Sequence, residues 1–122
     1  MESTRLRVDR IDVRETEDDL TLTLDNEGVR VMQIRARFEG WVDELVDGAG
    51  RVAPGPGAWT LIGTELSLEL GSRAVELFGF HRDCRLSLDV DEEAIRQVRA
   101  ALLEILHCAC YVVDTAEGRV TG

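Results

Sequence analysis

Both histidines and all three cysteines of this 122-residue chain fall in its second half, as His81-x-x-Cys84 and His107-Cys108-x-Cys110. If the two segments met, these residues would offer soft ligands for a tetrahedral zinc ion. The spacing lacks the C-x-x-C knuckles of structural zinc sites, and adjacent His107 and Cys108 splay apart on a helix or a strand. The plainer reading places His107 near the negative end of a helix and treats the cysteines as small hydrophobes. Cys108 and Cys110 form C-x-C, and no helix start follows to lower a thiol pKa, so redox chemistry has little support. Three cysteines cannot all pair within one chain, and nothing marks a secreted protein, so the expectation is reduced thiols.

Other catalytic patterns are missing. No G-x-S-x-G surrounds a serine, and DGAGRVAPGPG matches neither a P-loop nor a dinucleotide-binding fingerprint. Carboxylates are abundant, but abundance alone places some together by chance. The chain is therefore read as a protein without catalytic activity and without a cofactor.

Surface recognition is the better-supported chemistry. Trp41 stands beside Asp43, Glu44 and Asp47, an aromatic anchor with an acidic rim that suits Arg or Lys from a partner. A second acidic group, Glu15, Glu17, Asp18 and Asp19, reads as a solvated loop or as part of the same kind of surface. With 24 acidic and 14 basic residues the formal net charge is −10. That balance repels nucleic acid and anionic membranes and favours a cationic partner. Every basic residue is Arg, which is read as genome composition and not as chemistry. No apolar run is long enough to span a membrane, and the start MESTRLRVDR lacks the apolar core of a secretory signal, so a cytoplasmic protein is expected.

The elements that would position these residues follow from hydrophobic periodicity. Leu6 and Val8 share one parity and Ile11 and Val13 the other, so one extra residue near Asp9-Arg10 implies a β-bulge or a bend. Leu20, Leu22 and Leu24 alternate with threonines, Asn26-Glu27-Gly28 makes a turn, and Val29 to Phe38 returns as the partner strand. Trp41 to Val46 reads as a further strand. Val42, Glu44 and Val46 form its more apolar face, which directs Trp41, Asp43 and Leu45 outward. Asp47-Gly48-Ala49-Gly50 closes a loop, and Pro54-Gly55-Pro56-Gly57 divides the sequence without dividing the domain.

Gly63-Thr64 predicts a type II′ turn between Ala58–Ile62 and Glu65–Leu70, with Leu66, Leu68 and Leu70 facing the core. Trp59 shares a face with Leu61 and is assigned to the core. Ser72 is placed as the cap of a short helix ending at Gly79, and Arg85 to Val90 alternates again. The carboxylates of Asp89 to Glu93 open an amphipathic helix with Ile95, Val98, Leu102, Ile105 and Leu106 on one stripe. Tyr111-Val112-Val113 adds a short strand before a flexible tail over 115–122. The expected fold is α+β: one domain over 1–122, a mainly antiparallel sheet of hairpins, and one short and one long C-terminal helix packed on one face.

The succession WTLIGTELSLEL, SRAVELFG, CRLSLDVDEE and AIRQVRAALLEIL over residues 57–107 resembles family ten of the immunity proteins of bacterial polymorphic toxin systems. VMQIRARF resembles that family's central strand. The resemblance implies a small non-enzymatic protein that neutralises a cognate toxin by stoichiometric binding, without assigning contact residues. Two alternatives stand beside it. One is a metal- or thiol-dependent regulator using His81, Cys84, His107, Cys108 and Cys110, and the other is a small acidic adaptor or secretion chaperone. The sequence leaves the oligomeric state open.

Overall fold

The computed structural model describes residues 2–106, 112–114 and 119–121. The chain builds two sheets where the hairpin pattern suggests one. The five-stranded sheet has the order β2-β3-β4-β5-β6, from Arg10–Glu15, Asp19–Asn26, Val29–Arg37, Val42–Val46 and Val52–Pro54, all antiparallel. The six-stranded sheet has the order β1-β9-β8-β7-β10-β11, from Ser3–Val8, Asp83–Leu88, Glu65–Glu69, Ala58–Ile62, Val112–Asp114 and Arg119–Thr121. Two of its pairings, β1 with β9 and β7 with β10, are parallel.

The phase change near Asp9 explains the division. Asp9 and Arg10 both oppose Asp25, since Arg10 pairs with it in register while the Asp9 N–H also donates to its carbonyl at 3.0 Å. The chain bends there and leaves one sheet for the other, so Leu6 and Val8 serve the first and Ile11 and Val13 the second. The proline-glycine segment makes the second transfer. Pro54 ends the edge strand β6, where its missing donor costs no ladder bond, and Gly57 hands the chain on to β7.

Alternation then fills one core between the sheets. Leu20, Leu22 and Leu24 of β3, Met32, Ile34 and Ala36 of β4, and Trp59, Leu61, Leu66, Leu68, Leu86 and Leu88 of the other sheet are all buried. Helix α2, Glu92–Ile105, packs across β2, β3 and β4 through Ile95, Val98, Leu102 and Ile105. Burying each of these side chains stabilises the fold by about 2 kcal/mol, so truncating Leu102 to Ala would cost about 3 kcal/mol with its cavity. The helix begins where the carboxylates predict: the Asp91 side chain accepts from the Ala94 N–H at 2.8 Å, and Glu92 and Glu93 occupy the first turn.

The two-residue turns also follow the sequence. Glu27 and Gly28 both have positive φ, as a type I′ hairpin needs, and Gly63 has φ 59° at the first position of its turn. Helix α1, Ser72–Phe78, ends at left-handed Gly79 as expected and packs against β6, but its N-cap is Gly71, not Ser72. Ser72 is already helical, one position too late to cap. Of the C-terminal expectation, Val112–Asp114 is a strand, and within the tail expected to be flexible over 115–122 Arg119–Thr121 instead pairs with it as β11, while Tyr111, 115–118 and 122 lie outside the described residues. Among the described residues no helix is long and apolar enough to cross a membrane.

Candidate functional site

The acidic segment between β2 and β3 is a folded turn. The hydroxyl of Thr16 accepts from the N–H groups of Asp18 and Asp19, both at 3.1 Å, and the Thr16 N–H donates to the Asp19 carbonyl at 2.8 Å. Glu15, Glu17 and Asp18 are exposed and Asp19 is half-buried. These bonds fix the backbone that carries the carboxylates.

The strand register carries Trp41 to the same end of the sheet. The N–H of Phe38 donates to the carbonyl of Asp18 at 2.9 Å, extending the β3–β4 ladder past Asp19 and Arg37. From Phe38 the chain enters a 3₁₀ turn, Glu39–Trp41, in which Gly40 has φ 74° and Trp41 φ 49°. A left-handed tryptophan costs roughly 1–2 kcal/mol. The Trp41 N–H donates to the Phe38 carbonyl at 3.2 Å, and its ring stacks on Phe38 with centroids 5.5 Å apart. Trp41 is 37% exposed. A strained backbone thus presents an aromatic plate at an acidic corner, with exposed Glu39 two residues before it.

The first acidic grouping does not assemble around Trp41 as the sequence suggested. The faces of β5 are the reverse of the expected ones: Leu45 lies opposite Ile34 and is fully buried, whereas Val42 is 50% exposed. Trp41 is exposed because it precedes the strand in a turn, not because of strand phase. Glu44 lies opposite Arg35, whose Nε donates to Glu44 Oε1 at 2.8 Å. The Glu44 carboxylate is buried and already neutralised. Asp43 shares the core-side face with Leu45, is half-buried, and accepts from the Gly55 N–H through its carbonyl at 3.2 Å.

Asp47 is buried as well. Its carboxylate accepts from the N–H groups of Ala49 and Arg51 at 3.0 and 2.8 Å and from Arg51 Nε at 2.7 Å, which closes the 47–51 loop. Burial pushes this carboxyl up, but the Arg51 N–H, the Arg51 guanidinium and the Ala49 N–H together hold it below the usual carboxylate value. The exposed carboxylates at this end of the sheet are therefore Glu15, Glu17 and Asp18 of the turn and Glu39, two residues before Trp41. The three-residue gap from Trp41 back to Phe38 hides this grouping from a sequence reading, since only the β3–β4 register joins the segments. Glu39 is absent from the sequence-based grouping, and its place two residues before Trp41 is the one signal that points to it.

The metal alternative divides between inside and outside. Cys84 is fully buried on the core face of β9, opposite Leu68 and Thr4, and burial, then the charge of Asp83, push its thiol up to about 11. His81 is exposed, its N–H donating to Thr4 Oγ1 at 2.7 Å and its Nε2 lying 3.6 Å from Glu2. Among the described residues no group of three His, Cys, Asp or Glu side chains is placed to hold a metal. His107, Cys108 and Cys110 lie outside the described residues. No family model matches the chain, and comparison with the curated proteins and with the solved structures gives no match either.

Proposed function

We propose that this protein is a cytoplasmic immunity protein that neutralises a cognate toxin by stoichiometric binding, through the corner formed by Trp41 and the 15–19 turn. The observation that carries the reading is the main-chain bond from Phe38 to Asp18, which ties the turn bearing exposed Trp41 to the turn bearing exposed Glu17 and Asp18. The residue types match those that anchor protein interfaces, with a ring for apolar area and carboxylates to steer a cationic partner. The net charge of −10 acts in the same direction over longer range. The resemblance of residues 57–107 to an immunity family supplies the partner class. Against a nuclease toxin, these carboxylates would compete for the cationic surface that receives phosphate.

Tagged capture from the native host at low and raised salt, with intact-mass identification, tests the proposal. The expected result is one basic partner that is toxic alone, is neutralised at equimolar ratio, and binds less tightly as salt rises. Charge reversal of Glu17 and Asp18 should weaken that complex far more than reversal of Glu65 and Glu69 on the other sheet. Equal effects, or a partner that is not toxic, would overturn it.

A further inference from the structure

The strand β2 is a long open edge of the five-stranded sheet. Among the described residues no strand lies on its outer side, whereas the opposite edge of that sheet, β6, is three residues long and ends in Pro54. Short or proline-bearing edges resist pairing, and a six-residue edge without proline invites it.

The hydrogen-bond phase shows which groups are open. The Thr16 N–H points at β3, where it meets the Asp19 carbonyl, and antiparallel pairing alternates. Arg14 and Asp12 therefore also direct their main-chain groups to β3. Ile11, Val13 and Glu15 direct theirs to the open side. Val13 shares the core-side face with Leu22, its register partner, yet is 36% exposed.

From these features we infer that two copies associate through β2 about a two-fold axis at Val13, joining their five-stranded sheets edge to edge. In that register Val13 opposes Val13 of the second copy, covering the exposed apolar side chain on both. Ile11 opposes Glu15, and these three residues of each strand form about six intermolecular main-chain bonds. Asp12 opposes Arg14 of the second copy, twice, in the closely spaced non-hydrogen-bonded positions where side chains meet best. Both are well exposed, 57% and 76%, and engaged with each other only at 4.0 Å along their own strand.

Neighbouring registers lack this match. Centring on Asp12 sets Arg10 against Arg14 and Asp12 against itself. The remaining long edge, β1, is protected by its own charges, because centring on Leu6 opposes Arg5 to Arg7 and centring on Arg5 opposes it to itself. Charge complementarity thus selects both the strand and its register.

Sedimentation of the full chain over micromolar to millimolar concentrations tests the inference without any toxin, so it is independent of the proposed partner. The expected result is a monomer–dimer equilibrium. Asp12→Arg and Arg14→Asp should each weaken the dimer by about tenfold or more, since each turns two attractions into two repulsions. An equimolar mixture of the two variants should restore dimers, because positions 12 and 14 are then both positive in one chain and both negative in the other. A wild-type chain that stays monomeric, single variants that dimerise like wild type, or a mixture that stays monomeric would overturn it.

Discussion

Arg35 and Glu44 face each other across β4 and β5 on the outer side of the five-stranded sheet, with Arg35 Nε 2.8 Å from Glu44 Oε1. Glu44 is 7% exposed, so its charge serves the sheet and not a partner. Glu44→Gln should destabilise the protein by about 2 kcal/mol, the worth of a charged hydrogen bond left incomplete in a partly buried place. Replacing both residues by apolar ones of similar size should recover part of that loss. Denaturant unfolding of the apolar double variant and of the two single variants that each carry one of its replacements measures the coupling. A value near zero would mean that water, not Arg35, satisfies the carboxylate.

Acid should reach the molecule through Asp47. Its folded-state pKa lies below the usual carboxylate value, so the folded chain binds fewer protons than the unfolded chain as pH drops. The stability it supplies is complete above the unfolded-state value of about 4 and is lost as pH falls through the lower folded value. Asp47→Asn should be less stable at neutral pH and show a flatter decline as pH falls below about 4. Thermal melts of both proteins across that range are the check, and parallel curves would exclude this origin.

Cys84 should be chemically silent while the protein is folded. Its thiol is buried and pushed up to about 11, so at neutral pH it is neither ionised nor reachable. Alkylation followed by peptide mapping should label it only after denaturation. The linkage has the opposite sense from Asp47: the unfolded thiol ionises near pH 9, so stability falls as pH rises from there towards 11. Cys84→Ser should cost about 1–3 kcal/mol, because a hydroxyl replaces an apolar atom among Leu68 and Leu86.

The two tryptophans should report separately. Trp59 is 2% exposed and Trp41 37%. In Trp59→Phe the remaining emission should be red-shifted and open to acrylamide. It should also resist iodide, which the Glu17 and Asp18 carboxylates repel. Binding of a cationic partner at this corner should shift that emission to the blue. An unchanged spectrum on saturation would place the contact away from Trp41.

Much of this architecture is written locally. The alternation of Leu20, Leu22 and Leu24, the Glu27-Gly28 and Gly63-Thr64 turns and the Ile95 to Leu106 stripe depend on near neighbours and could be read along the chain. The face of β5 could not. Counting apolar residues favours Val42 and Val46 over Leu45, but the register with Ile34 decides which side meets the core. The same non-local register decides the candidate site. It draws Glu44 to Arg35, away from Trp41, and it brings Asp18 to Phe38. The expected cap at Ser72 fails for a smaller reason: the helix starts one residue earlier than expected, Gly71 takes the cap position with extended backbone, and no side chain caps the helix.

Asp9, where one strand changes sheets, has a consequence for the order of assembly. Residues 10–54 pair only with their neighbours in sequence, so the five-stranded sheet can zip up from successive hairpins. Val8, one step before Asp9, waits for Leu88, because β1 can join its sheet only beside β9. The first strand written is therefore among the last to be seated. On the ribosome, the segment before Asp9 stays without its partner until residues 83–88 have emerged, and its Arg5 and Arg7 keep that waiting edge from sticking to its own kind.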